Sequence, residues 1–72
     1  MVNTELLNKK IQGSGKKKAY LAEKCGISRM GFLNCEKNKA EFKPSHISVL
    51  CDELCISSLK EKDAIFFAKQ DS

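Results

Sequence analysis

Arg29 is the single arginine among 72 residues, and it directly follows Ser28. A guanidinium makes two-point bonds to paired acceptors and can hold a phosphate or a surface carboxylate. Lysines stand on both sides of it in sequence: Lys16, Lys17 and Lys18 before, then Lys37, Lys39 and Lys43, with Asn38 among them. Ammonium groups in such clusters bind polyanions, and a helix N-terminus adds its own unpaired N–H groups. For each single lysine the plain alternative is a solvated surface charge. His46, Cys51 and Cys55 are the residues that could approach a metal ion together. Zinc sites usually carry cysteines two residues apart, however, and all four cysteines fall where small apolar residues are expected, so no metal is expected. One histidine, no convergent acid–base set and no phosphate loop leave no basis for an enzyme, a cofactor or a small-molecule substrate.

The charge is unevenly placed. Residues 1–43 hold nine Lys and Arg29 against Glu5, Glu23, Glu36 and Glu41, a net of +6. Residues 44–72 hold three Lys against Asp52, Glu53, Glu61, Asp63 and Asp71, a net of −2, which recovers the overall +4. One face toward a polyanion and another turned away from it would produce this split. At 42% hydrophobic and 31% charged residues the composition is that of a folded domain, and the length allows one domain, residues 1–72, with no room for a second domain and a deep cleft between them. No apolar run reaches the ~20 residues of a membrane span. MVNTELLNKK lacks the apolar stretch of a secretory signal, so a cytoplasmic chain with free thiols is expected.

Short helices punctuated by small residues must position these groups. Asn3 or Thr4 caps a first helix with the stripe Leu6, Leu7 and Ile11, and Gly13-Ser14-Gly15 ends it. A second runs from about Lys17 to Cys25, stopped by Gly26, and a third starts at the cap Ser28 and reaches Lys37. Residues 38–42 read as a loop pinned by Phe42. Pro44 opens a fourth helix, in which Ile47, Leu50, Cys51 and Leu54 repeat at i, i+3, i+4 and i+7. A fifth begins near Lys60 and holds Ala64 to Ala68. No stretch alternates as a strand does, so the expectation is an all-α chain.

The segment Lys18–Lys37, KAYLAEKCGISRMGFLNCEK, resembles the helix-turn-helix of lambda-repressor-like, Cro/Xre-type regulators, whose usual core is Leu-Ala-x-x-x-Gly-Ile-Ser. The resemblance covers about residues 4–68, and the ending from Phe42 to Ala68 looks like small phage-encoded regulators of Gram-positive hosts. It implies a five-helix DNA-binding domain that represses or switches transcription at an operator, usually as a homodimer, in the cytoplasm of a bacterial or phage-infected cell and associated with its nucleoid. The third helix, residues 28–37, would lie in the major groove. Ser28, Arg29, Met30, Leu33 and Asn34 would then face the bases; the alternative for Met30 and Leu33 is packing against a neighbour. Lys16, Lys17, Lys18, Tyr20, Lys37, Asn38, Lys39 and Lys43 would hold phosphates, and Gly31 would allow close approach. The chain departs from the family where Lys17-Lys18 replace the usual Gln or Thr, and Lys9 or Lys10 would be the partner of Glu36.

Ile65, Phe66 and Phe67 make the last helix apolar around much of its circumference. Because Phe66 and Phe67 point about 100° apart, at least one is expected outside a monomer core, at a dimer interface. A protein-interaction module of the same fold, an antitoxin or antirepressor gripping its partner with this helix, is the alternative function.

Overall fold

The computed structural model describes residues 1–68. These form five α-helices and no strands: α1 Thr4–Ser14, α2 Lys18–Cys25, α3 Arg29–Glu36, α4 Pro44–Glu53 and α5 Leu59–Phe66. The all-α expectation and the helix order hold, with α5 starting one residue earlier than expected and ending at Phe66.

Each boundary has a chemical cause. Asn3 accepts the Leu6 N–H at 3.1 Å, Ser28 accepts that of Gly31 at 3.0 Å, and Ser58 that of Glu61 at 3.4 Å. These side chains satisfy N–H groups that have no carbonyl four residues back. Pro44 opens α4, where its missing N–H is no loss. At the C-termini one device recurs. Gly26 (φ 76°) follows α2, its N–H donating to Glu23 O while the Ile27 N–H reaches Ala22 O. Asn38 (φ 64°) does the same after α3, with Asn38 N–H to Cys35 O and Lys39 N–H to Asn34 O. Cys55 (φ 57°) repeats it after α4. This is the Schellman closure, and two of its three left-handed positions carry a side chain.

The helices share one core. Its largest fully enclosed side chains are Leu7 of α1, Leu21 of α2, Phe32 of α3, Leu50 of α4 and Ile65 of α5, one from each helix. α2 packs on both α3 and α4, and α1 packs on α5. Phe42 pins the α3–α4 loop by standing edge-on between Phe32 and Phe66, at centroid distances of 5.6 and 5.9 Å. The N-terminal residues form a strap: Asn3 N–H donates to Ile65 O at 2.7 Å, and Met1 O accepts from Ala68 N–H at 2.9 Å. Asn38 closes the strap onto the end of α3, its amide oxygen accepting Val2 N–H and its amide nitrogen donating to Val2 O.

Two sequence expectations change here. Ile65 and Phe66 do not face outward for a partner; both are buried in the core of the single chain, because α1 and Phe42 cover that side of α5. Phe67, beyond the helix end, is 54% exposed. Glu36 is partnered by neither Lys9 nor Lys10. Lys18 Nζ reaches its Oε1 at 2.8 Å, while Lys10 pairs with Glu61 and Lys9 lies 4.0 Å from Glu5 at the surface.

Candidate nucleic-acid interface

Gly26-Ile27-Ser28 joins the two eight-residue helices α2 and α3. Ile27 packs on the core, and the cap at Ser28 sets where α3 begins. From that start the 3.6-residue repeat fixes two faces. Phe32, Cys35 and Glu36 are buried, while Ser28, Arg29 and Met30 are exposed, Met30 to 65%. Leu33 and Asn34 lie between these faces, half-buried.

Gly31 has an internal role. A Cβ there would stand 3.2 Å from Ser28 Oγ and 3.8 Å from Ile27 Cβ, so its bare backbone leaves room for the cap that starts α3. No approaching ligand is needed to account for it.

The far end of α3 is fastened by a buried carboxylate. Glu36 is 3% exposed; Lys18 Nζ holds its Oε1, and its Oε2 has no hydrogen-bond partner among the described residues. The Glu36 carbonyl accepts from Thr4 Oγ1 at 2.6 Å. The C-terminus of α3 is thereby tied to the first turns of both α2 and α1. A helix held at both ends can present a side chain at a defined position, which a frayed helix cannot.

The cations divide into two groups. Lys17, Lys37, Lys39, Lys43 and Arg29 are exposed and make no ion pair among the described residues. Lys16 and Lys18, expected beside them as phosphate contacts, are engaged inside the fold. Lys18 serves Glu36, and Lys16 Nζ donates to the Glu53 carbonyl at 2.6 Å and to its carboxylate at 3.0 Å. That bond holds the Glu53 carboxyl below its ordinary range, helped by the Tyr20 hydroxyl, and raises the Lys16 ammonium above its own. Asn38 is likewise engaged, its amide spent on the Val2 backbone.

Tyr20 is exposed, with the ammonium of Lys16 5.9 Å and that of Lys24 5.4 Å from its ring centroid. Both lie within cation–π range. Lys24 was not singled out from the sequence, although its i+4 spacing from Tyr20 on a helix is the signal that would have found it.

His46 Nδ1 accepts the Lys43 N–H at 3.3 Å, closing the first turn of α4, and the His46 carbonyl lies 3.9 Å from Cys25 Sγ. Among the described residues no three of His, Cys, Asp and Glu gather as metal ligands, and no helix is long and apolar enough to cross a membrane. All four thiols are free, and burial pushes those of Cys25, Cys35 and Cys51 up. No family model, curated protein or solved structure matches the chain.

Proposed function

We propose that the chain is a sequence-specific, double-stranded-DNA-binding transcriptional regulator of the lambda-repressor-like helix-turn-helix kind, with α3 in the major groove. One observation carries the reading: α3 is fastened at both ends, and its first turn exposes Arg29 and the apolar Met30 among cations that the fold does not use. A guanidinium reads guanine by a two-point bond, and an exposed thioether can meet a thymine methyl. Lys17 before α2 and Lys37, Lys39 and Lys43 after α3 give phosphate contacts on either side. The resemblance of Lys18–Lys37 to Cro/Xre-type regulators supports the same assignment, and with it action on the nucleoid in the cytoplasm.

The described residues extend 33 Å at most, about one turn of B-DNA, so two recognition helices in successive major grooves require two copies. Phe67 and Met1, both largely exposed and lining one hollow beside Val2 and Phe66, offer an apolar surface for that homodimer. The same hollow is what favours the second reading, a protein-interaction module whose partner covers Phe67.

The test is selection of duplexes from a random pool by the full chain, followed by binding of the winner and a scrambled duplex. Arg29→Ala should lose roughly 5- to 150-fold on the selected site and little on the scrambled one. Lys17→Ala should weaken both alike and reduce the salt slope by about one. Equal binding of both duplexes by the parent chain would refute sequence-specific readout.

A further inference from the structure

α1 leaves one stripe uncovered. Leu6, Lys9, Lys10 and Gly13 recur at i, i+3, i+4 and i+7, and together they line two grooves that meet at Lys9 and Lys10. The larger, about 510 Å³, lies between α1 and α5 over a floor of Leu6, Ala64 and Ile65, with Lys9, Lys10 and Lys60 on its rim. The rim's one carboxylate, Glu61, is already paired with Lys10 at 3.1 Å. Lys9 touches Glu5 only at 4.0 Å with both side chains mostly in water, and Lys60 has no ion pair among the described residues. The smaller groove, about 480 Å³, continues past Gly13 toward Cys55.

Gly13 lies within α1 at the smaller groove, and a Cβ there would meet nothing within 4 Å, so that end of the stripe is open. An apolar floor whose rim sets three lysines against the single carboxylate of Glu61 suits an amphipathic helix whose apolar stripe is flanked by carboxylates. A sugar-phosphate backbone would match the rim and leave the apolar surface of Leu6 and Ala64 without a partner.

From this we infer that the α1–α5 trough docks an acidic amphipathic helix of a partner protein, on a surface that shares no residue with the outward face of α3. The inference is independent of DNA binding, since it rests on other side chains. It makes the chain an adaptor as well as a reader: α3 engages one ligand while α1 and α5 recruit another.

The experiment is a display selection of random peptides of about 15 residues, roughly four helical turns, on the immobilised full chain, with counter-selection on Ala64→Glu. Ala64 is exposed, so this substitution fills the trough without entering the core. The expected winners are net acidic, with apolar residues at three- and four-residue spacing. They should bind the parent at least about tenfold more tightly than Lys9→Glu/Lys60→Glu and equally well to Arg29→Ala. Thermal melting of each variant verifies that it is folded. No enrichment over the counter-selection, neutral or basic winners, or displacement of the winners by duplex DNA from a folded Arg29→Ala chain would overturn the inference.

Discussion

Lys18→Met should destabilise the fold far more than an exposed lysine on a first helical turn normally would. The Glu36 residue is 3% exposed, its Oε1 accepts from Lys18 Nζ at 2.8 Å, and its Oε2 has no partner among the described residues. Removing one member of a buried pair strands the other charge, at about 3–5 kcal/mol. The Lys18 side chain is 32% exposed, so water screens part of the interaction and about 2–3 kcal/mol is the better figure. A domain of this size has about 4–11 kcal/mol in total, and the loss should lower the melting temperature by roughly 10–20 °C. Urea and thermal unfolding followed by circular dichroism measure it. The diagnostic is the double variant Lys18→Met/Glu36→Met, which removes both charges and keeps similar volumes; it should recover to within about 1 kcal/mol of the parent. If Lys18→Met lies within about 0.5 kcal/mol of the parent, or the double variant is no better than the single, Glu36 is not stranded. Lys18 would then return to the candidates for phosphate.

Other perturbations follow from individual geometries. Asn38→Ala loses two bonds to Val2 and puts a β-carbon without compensation at φ 64°, about 2–4 kcal/mol by urea unfolding, and Asn38→Gly should cost about 1 kcal/mol less because it relieves the backbone. Under native conditions near neutral pH, iodoacetamide should modify one thiol per chain first, and mass mapping should find it at Cys55, the exposed cysteine. Burial raises the pKa of the other three and so depletes their thiolates. The Glu53 carboxyl is held below its ordinary 4.5, first by the Lys16 ammonium and then by the Tyr20 hydroxyl. Its contribution is therefore complete above that value and lost as pH falls through the lowered one, so Glu53→Gln should flatten the acid side of the stability profile below about pH 4.5. An unchanged acid limb in urea midpoints would contradict the pairing.

The helix boundaries were readable because their punctuation is chemical and local. Asn3, Ser28, Pro44 and Gly26 act on the backbone within four residues of themselves, whatever the rest of the chain does. The left-handed closures at Asn38 and Cys55 were not, since a residue with a β-carbon takes that conformation only where the following segment is drawn back to the core. Charge pairing was the least legible. Lysine side chains are long and flexible, and nothing in sequence spacing says that Lys18 meets a carboxylate eighteen residues on, or that Lys16 meets Glu53. The same limit applies at the candidate site. Helical periodicity turns Met30 outward and the resemblance places Arg29 there, and both are exposed; Leu33, put on the same face, is half-buried, and Lys16, Lys18 and Asn38, assigned to a ligand, are employed by the fold. Phe66 and Phe67 could be told apart only once α1 and Phe42 had covered one of them.

The claim that α3 meets DNA through its first turn is tested most directly by titrating a selected duplex into the isotope-labelled chain and following every backbone amide by NMR. The account predicts saturable shifts concentrated at residues 28–34 and at Lys17, Lys37, Lys39 and Lys43, with Leu6, Lys60 and Ala64 unmoved. Shifts confined to the α1–α5 trough, or spread evenly over the surface with no saturation, would contradict it.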